Sequence, residues 1–278
     1  MPQLRHNGLC LHYADAGQGP PVVFLNGLAG DHLYWMGQFR PFGNRYRCLA
    51  PDNRDAGRSD YAGDSYSVGD LADDVAALLA EVAQAPAHVV GLSLGGMIAQ
   101  ELALRHPERV RSLFLVGTLA RADDWFNATL DAYSLIRRQV ADTPAFFEAL
   151  LPWLVSHRFF ESSTKVEWLC ASLRQNPQPQ RIDGFFRQFD AIRRHDTLER
   201  LGEVRCPVLV AVGEDDRIVP PRYARQLAER VPQARLEVLP GIGHAPPIED
   251  PRGFNRLLAD FLDGTLAIDE VPPRRSAS

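Results

Sequence analysis

The chain has 278 residues, of which 45% are hydrophobic and 23% charged. These proportions exclude fibrous and disordered classes, and the length suits a large α/β domain that carries an insertion. A formal net charge of -5, with no run of Lys or Arg, argues against a nucleic-acid surface.

In chain order, Leu9–Tyr13 reads as a candidate edge strand. Val22–Leu25 is a short apolar run without polar alternation, as in strands covered on both faces. Arg47–Ala50 is a weaker strand candidate. Ser67 followed by Asp70 has the pattern of a capping box, and it opens a predicted helix over Val68–Glu81. Within and just beyond it, Leu71, Val75, Leu78, Leu79 and Val82 recur at helical spacing. His88–Leu92 is the next apolar strand, Met97–His106 a helix stopped by Pro107, and Leu113–Val116 a third apolar strand. After a long interval come the strand Val208–Val212, a helix over Arg222–Val231, a weak strand over Leu236–Leu239 and a helix over Arg252–Leu262. This alternation predicts a mostly parallel sheet with helices on both faces.

Between Ala120 and His195 the strand signal stops and amphipathic helical stretches replace it. The chain carries 4 Trp, 7 Tyr and 14 Phe, and nearly half of them lie in this interval. We read residues 120–195 as a helical cap inserted into a core of residues 1–119 and 196–264, with 265–278 as a disordered tail. The cap aromatics serve its own packing and predict a largely apolar pocket. Trp125, Phe126, Tyr133, Phe147 and Trp153, with Asn26 from the core, are the candidate substrate contacts. Arg137, Arg138, Arg174 and Arg181 are candidates for holding a substrate carboxylate.

The N-terminus has no continuous apolar h-region, and no apolar run nears the ~20 residues that span a bilayer. Cys10, Cys48, Cys170 and Cys206 form no C-x-x-C pair and read as reduced thiols of a cytoplasmic protein. The expected partner is a small-molecule substrate, with no nucleic acid and no membrane. No sequence feature specifies an oligomeric state.

Gly91-Leu92-Ser93-Leu94-Gly95 matches G-x-S-x-G, follows an apolar strand and enters a helix, as a nucleophile elbow requires. Small residues flank the serine because the turn is sharp, and its hydroxyl stands near a helix N-terminus. A serine hydroxyl needs a base. His244, in Gly241-Ile242-Gly243-His244-Ala245-Pro246, fits the chain order of serine, acid and histidine. His32, His88, His106 and His195 read as structural or solvent-facing. The acid lies in Gly213–Pro220, after the Val208–Val212 strand, where Asp215 and Asp216 compete. Asp123 and Asp124 form a third option. Oxyanion donors are expected from the Leu94 amide and from the Asn26–Gly30 loop, where Leu28 is the choice.

With Asn26–Gly30, Asp52–Ser59, the Ser93 elbow, the Asp216 loop and Gly243–Pro246 in this order, the sequence resembles the α/β-hydrolase family. The resemblance runs from about Val22 to Leu262, outside the cap. It implies an eight-stranded, mostly parallel sheet and a lid after the sixth strand. The family's G-x-x-D-x-x-x-P pattern selects Asp216 as the acid beside Ser93 and His244, with Leu28 and Leu94 as oxyanion donors. Two positions depart from the family pattern. Asn26 stands where His often precedes the glycine, and Asp55 replaces the first glycine of D-x-R-G-x-G-x-S. Asn26, Leu28, Asp31 and Trp35, together with Gly91–Met97, resemble 3-oxoadipate enol-lactonases.

The expected activity is hydrolysis of a carboxylic ester or lactone through an acyl-enzyme, with no metal or organic cofactor. The lack of a G-x-G-x-x-G turn agrees with that. The same triad also serves carbon–carbon hydrolases of ring-cleavage diketones and cofactor-free haloperoxidases or perhydrolases. A ligand-binding receptor is the non-enzyme alternative. Epoxide and haloalkane hydrolases carry Asp where Ser93 stands.

Overall fold

The computed structural model describes residues 2–140 and 142–264, so the tail expected over 265–278 lies outside the described residues. Eight strands form one sheet: β1 (Gln3–His6), β2 (Leu9–Ala16), β3 (Pro21–Leu25), β4 (Arg47–Pro51), β5 (Ala87–Leu92), β6 (Val110–Val116), β7 (Val208–Gly213) and β8 (Ala234–Leu239). Their spatial order is β1-β2-β4-β3-β5-β6-β7-β8. β1 and β2 pair antiparallel, as do β2 and β4, and every pairing from β4 to β8 is parallel. This is the α/β-hydrolase architecture that the strand–helix alternation and the motifs anticipated.

The helices are α1 (Met36–Phe42), α2 (Val68–Leu78), α3 (Leu94–Arg105), α4 (Asp124–Gln139), α5 (Thr143–Leu154), α6 (His157–Phe160), α7 (Ser163–Arg174), α8 (Ile182–Arg193), α9 (Pro221–Arg230), α10 (Pro246–Glu249) and α11 (Pro251–Leu262). The Ser67–Asp70 capping box is formed as expected at the start of α2. The predicted end of α2 needs correction: the α-helix stops at Leu78, and Leu79–Ala83 form a π turn closed by Gln84 in the left-handed region. α3 begins at Leu94 rather than Met97, because the intervening Gly95 and Gly96 hide a helix start from a propensity reading. β1 and α1 were not anticipated. β1 buries only Leu4 among four residues, and α1 contains Pro41.

The two-residue period of the strands separates two cores. Val23, Leu25, Leu49, Val89, Leu113, Leu115, Val208 and Val210 face α2, α3 and α9. Val22, Phe24, Cys48, Val90, Phe114, Val116 and Leu209 face the other way, onto Trp35, Phe39 and Phe42 around α1 and onto Phe254, Leu258 and Phe261 of α11. Phe114 stacks on Phe254 with ring centroids 5.4 Å apart. Apolar side chains on both faces of each central strand explain why those runs lack polar alternation.

Helices α4–α8 all lie between β6 and β7, and the chain entering and leaving them is stitched together. Arg121 and Asp196 form an isolated bridge, with Arg121 Nε 2.7 Å from Asp196 Oδ2. The Thr197 amide donates to Ala120 O at 2.9 Å. Side chains of Asp123, Asp142, Ser156 and Ser162 cap four of these helices, which is why the interval reads as helical. Phe126, Leu130, Tyr133, Phe146, Phe185 and Phe189 continue the larger core, so the insertion is packed against the sheet domain. The four cysteines are free, and among the described residues no helix is long and apolar enough to cross a membrane.

His88 of β5 is buried, with Nδ1 2.7 Å from Ser112 Oγ of β6. Burial pushes its imidazole down to about 4. The unfolded chain therefore takes up a proton near pH 6.5 that the folded chain refuses until about pH 4, so stability falls as pH drops through that window. Urea unfolding between pH 7 and pH 5 should give a shallower pH slope for His88→Gln than for the wild type. Equal slopes would remove His88 from the acid sensitivity of the fold.

Candidate active site

Ser93 lies at the junction of β5 and α3 with φ 55 and ψ −116, in the left-handed half of backbone space. Such a state costs an L-residue about 1–3 kcal/mol and persists only when the surroundings dictate it. Here they do. The Ser93 amide donates to Val116 O at 2.9 Å, and its carbonyl accepts from the Thr118 hydroxyl at 2.8 Å. A Cβ on Gly95 would stand 2.1 Å from Leu25 O, and one on Gly91 2.3 Å from Gly95 O, so the turn closes only with glycine at both places. Ser93 itself is half-buried and opens the N-terminus of α3.

His244 follows β8 and Asp216 follows β7, so both reach the same sheet edge as Ser93. His244 Nδ1 lies 2.8 Å from Asp216 Oδ2. The carboxylate accepts, so Nδ1 donates, and Nε2 keeps its lone pair for a proton from elsewhere. Asp216 Oδ1 accepts from the Ile218 and Val219 amides at 2.9 and 2.8 Å, which fixes the carboxylate's plane. Asp215 instead faces His157, 3.3 Å from its Nδ1. Asp123 caps α4 and accepts from the Tyr223 hydroxyl. Of the acids left open by the sequence, Asp216 is the one beside His244.

Several residues that no motif pointed to hold this arrangement. Gly117, with φ 50, passes so close that a Cβ would stand 3.1 Å from His244 Nδ1 and 3.2 Å from Asp216 Oδ2. A glycine directly after the Leu113–Val116 run was the available signal. The buried Glu249 carboxylate accepts from the Gly243 and Ser156 amides, each at 2.8 Å, and the His244 amide donates to Leu154 O at 3.0 Å. These contacts tie the histidine loop to the end of α5, and local sequence carries no trace of them.

The Asn26–Gly30 loop lies against the elbow, with a Cβ on Gly27 3.4 Å from Ser93 Cβ. Among the described residues, neither the Leu28 nor the Leu94 amide has an acceptor. Asn26, expected among the substrate contacts, is fully buried and donates from Nδ2 to Pro51 O at 3.1 Å, tying the loop to β4. Asp31 caps the following 3-10 turn and accepts from Asn176 Nδ2 at 2.9 Å, while Trp35 is buried against Phe24 and Phe254.

The sequence matches the family model of the α/β hydrolase fold over residues 20–251. The chain belongs to the α/β-hydrolase family. A protein of Caulobacter sp. (strain K31), provisionally named carbamate hydrolase RutD, is 30% identical over 266 residues, 92% of this chain and 96% of its own. The solved enol-lactonase of Burkholderia xenovorans LB400 superposes with TM-score 0.84 at 26% identity, covering 94% of this chain and 100% of its own. A malate-bound thermophilic esterase from Thermogutta terrifontis gives TM-score 0.82 at 25% identity, covering 96% of this chain and 100% of its own.

The other expected contacts of this hydrolase divide by burial. Tyr133 of α4 is buried, its ring edge-on to Trp153 and its hydroxyl without a hydrogen-bond partner among the described residues. Burial and the Asp216 charge push its phenol up. Phe147 is half-buried against Phe146. Phe126 packs in the core, edge-on to Tyr223, and Trp125 is 44% exposed beneath the Arg222 guanidinium. Arg137 is fully buried among the α4–α8 helices and bonds Val140 O and Thr143 Oγ1. Arg138 lies over Phe186, and Arg174 and Arg181 pair with Glu148 and Asp183. His12, His32 and Asp52 form a buried cluster with metal-ligand residue types. Each Asp52 oxygen already accepts two N–H bonds, from the His32 amide and ring and from the His12 ring and the Arg58 amide. Hydrogen bonding accounts for both Asp52 oxygens and both Nδ1 atoms, while His12 Nε2 and His32 Nε2 are buried without a partner among the described residues.

Asp216→Asn should lower kcat on p-nitrophenyl acetate by about 10⁴-fold and erase the downfield proton signal of the His244 Nδ1–H, because an amide turned toward Nδ1 reverses the tautomer. Asp215→Asn should leave both nearly unchanged. The opposite ranking would reassign the acid.

Proposed function

We propose that this protein hydrolyses a carboxylic ester or lactone of a small, largely apolar substrate through a Ser93–His244–Asp216 triad. The observation that carries this reading is the 2.8 Å contact of His244 Nδ1 with Asp216, at the sheet edge where Ser93 stands on its left-handed turn. His244 Nε2 takes the Ser93 proton as Oγ attacks the carbonyl carbon. The oxyanion that forms is met by the Leu28 and Leu94 amides, both free of other acceptors among the described residues, and by the N-terminus of α3. His244 then protonates the leaving alcohol or enol oxygen as its bond to the carbonyl carbon breaks. Water, deprotonated by His244, attacks the acyl-enzyme and releases the acid and Ser93.

In this reading residues 120–195 act as a cap over a core of 1–119 and 196–264. Tyr133, Phe147 and Trp153 supply its apolar substrate contacts, and no cofactor takes part. Four free cysteines support a reducing, cytoplasmic location. A carbamate ester is the second substrate class, favoured by the name of the Caulobacter relative. Its carbonyl would meet the same nucleophile and amides.

Purified protein should show a burst with p-nitrophenyl acetate and butyrate equal to its own concentration, then steady turnover, and Ser93→Ala should lose both. Equal rates in the two proteins would sink this mechanism. Adding phenyl carbamates and small lactones to the same assay ranks the substrate classes by kcat/KM.

A further inference from the structure

We propose that Gln188, on helix α8, is a positioning residue that sets the oxyanion loop in its working conformation. The inference rests on the triad and oxyanion reading given above. Gln188 is fully buried. Its Oε1 accepts from the Ala29 amide at 3.1 Å, and its Nε2 donates to Arg54 O at 3.0 Å. One side chain from the helical insertion thus joins the loop after β3 to the loop after β4.

Residues 27–30 form a tight turn, closed by the Gly30 amide on Gly27 O at 3.1 Å. Its third residue, Ala29, has φ 60. Positive φ at that place is the requirement of a type II turn, which ordinarily takes glycine there. Alanine favours the type I alternative, in which the central peptide turns over. That central peptide carries Leu28 C=O and Ala29 N–H, and Gln188 holds the N–H. The preceding peptide carries Gly27 C=O and Leu28 N–H, and Gly30 holds the carbonyl. Both turn types share a φ of about −60° at the second residue, so Gly30 fixes the Gly27–Leu28 peptide and its N–H, while Gln188 fixes the Leu28–Ala29 peptide beside it and keeps the turn from relaxing.

Other contacts hold α8 where Gln188 can do this. Arg187 pairs with the buried Asp55 carboxylate at 2.8 and 2.9 Å, and Gly184 packs directly on Asp55 and Tyr61. Asp55 itself has φ 68. This gives a function to the residue that departs from the family's glycine: a left-handed aspartate that anchors the helix bearing Gln188.

The test compares wild type, Gln188→Leu, Gln188→Glu and the double variant Ala29→Gly/Gln188→Leu, with p-nitrophenyl acetate as substrate and an aryl trifluoromethyl ketone as the oxyanion-forming inhibitor. Because a displaced donor loses part of the effect of a deleted one, Gln188→Leu should lower kcat about 10- to 100-fold while KM changes less than about threefold. The inhibitor's Kd should weaken by a similar factor. Gln188→Glu keeps an acceptor for Ala29 and should stay within about tenfold of wild type. Glycine at position 29 accepts positive φ without strain, so the double variant should regain much of the lost kcat. A folded Gln188→Leu with wild-type kcat and inhibitor affinity would overturn the proposal, as would a loss that Ala29→Gly does not relieve. If Gln188→Leu fails to fold, Gln188→Asn, one methylene too short to reach both partners, takes its place. Hydrogen exchange at the Ala29 amide, fast in the variant and slow in wild type, reads the loop without catalysis. It decides the inference even if the wild type shows no acyl-enzyme burst and the functional reading itself fails.

Discussion

The backbone at Ser93 is the constraint around which the rest of the molecule is arranged. A residue held at φ 55 and ψ −116 relaxes unless its neighbours forbid it. β3, β5 and the first turn of α3 close on one another so tightly that Gly91 and Gly95 have no room for a Cβ. β6 ends beside them to receive the Ser93 amide at Val116 O, and Thr118 takes the carbonyl. Gly117 must then turn left-handed, which clears the space that His244 and Asp216 occupy. The sheet order and strand lengths matter to the site because they bring these chain ends to one edge.

Histidine–carboxylate pairing alone does not mark the site. His12 and His32 share Asp52, His106 meets Asp73, and His157 faces Asp215. His195 is buried and pushed down to about 3, which keeps it neutral. What separates His244 is its place on a loop after the last strand, at the sheet edge where the Ser93 turn stands, with Nδ1 committed to Asp216. The pairing orients the His244 imidazole, and the proposed triad rests on where that imidazole stands.

The parts legible in the sequence were those written in local pattern. The apolar runs of β3, β5, β6 and β7 have that pattern because both faces of each are covered. Ser67 and Asp70 announced α2 through their own side chains, and the elbow announced itself through glycine spacing. Long-range effects were not legible. β1 has one buried residue and exists only because β2 offers it an edge. Asn26 looked like a substrate contact, yet its amide serves Pro51, which is distant in sequence. Phe126 looked like pocket lining and is core. Glu249 and Gln188 are unremarkable in their own segments, because each has a partner far along the chain, Ser156 at 93 residues and Ala29 at 159.

The bonds from the end of α5 to the histidine loop bear on how such a protein diversifies. The Leu154 carbonyl, the Ser156 amide and the Glu249 carboxylate join the insertion to Gly243 and His244 through three hydrogen bonds. The insertion is therefore not an interchangeable module. A chimera that grafts a foreign segment between β6 and β7 would inherit a histidine loop whose splint had gone, whatever new pocket it carried. New specificities on this scaffold would come more readily from side-chain exchange on the faces of α4 and α5 than from recombination of whole segments.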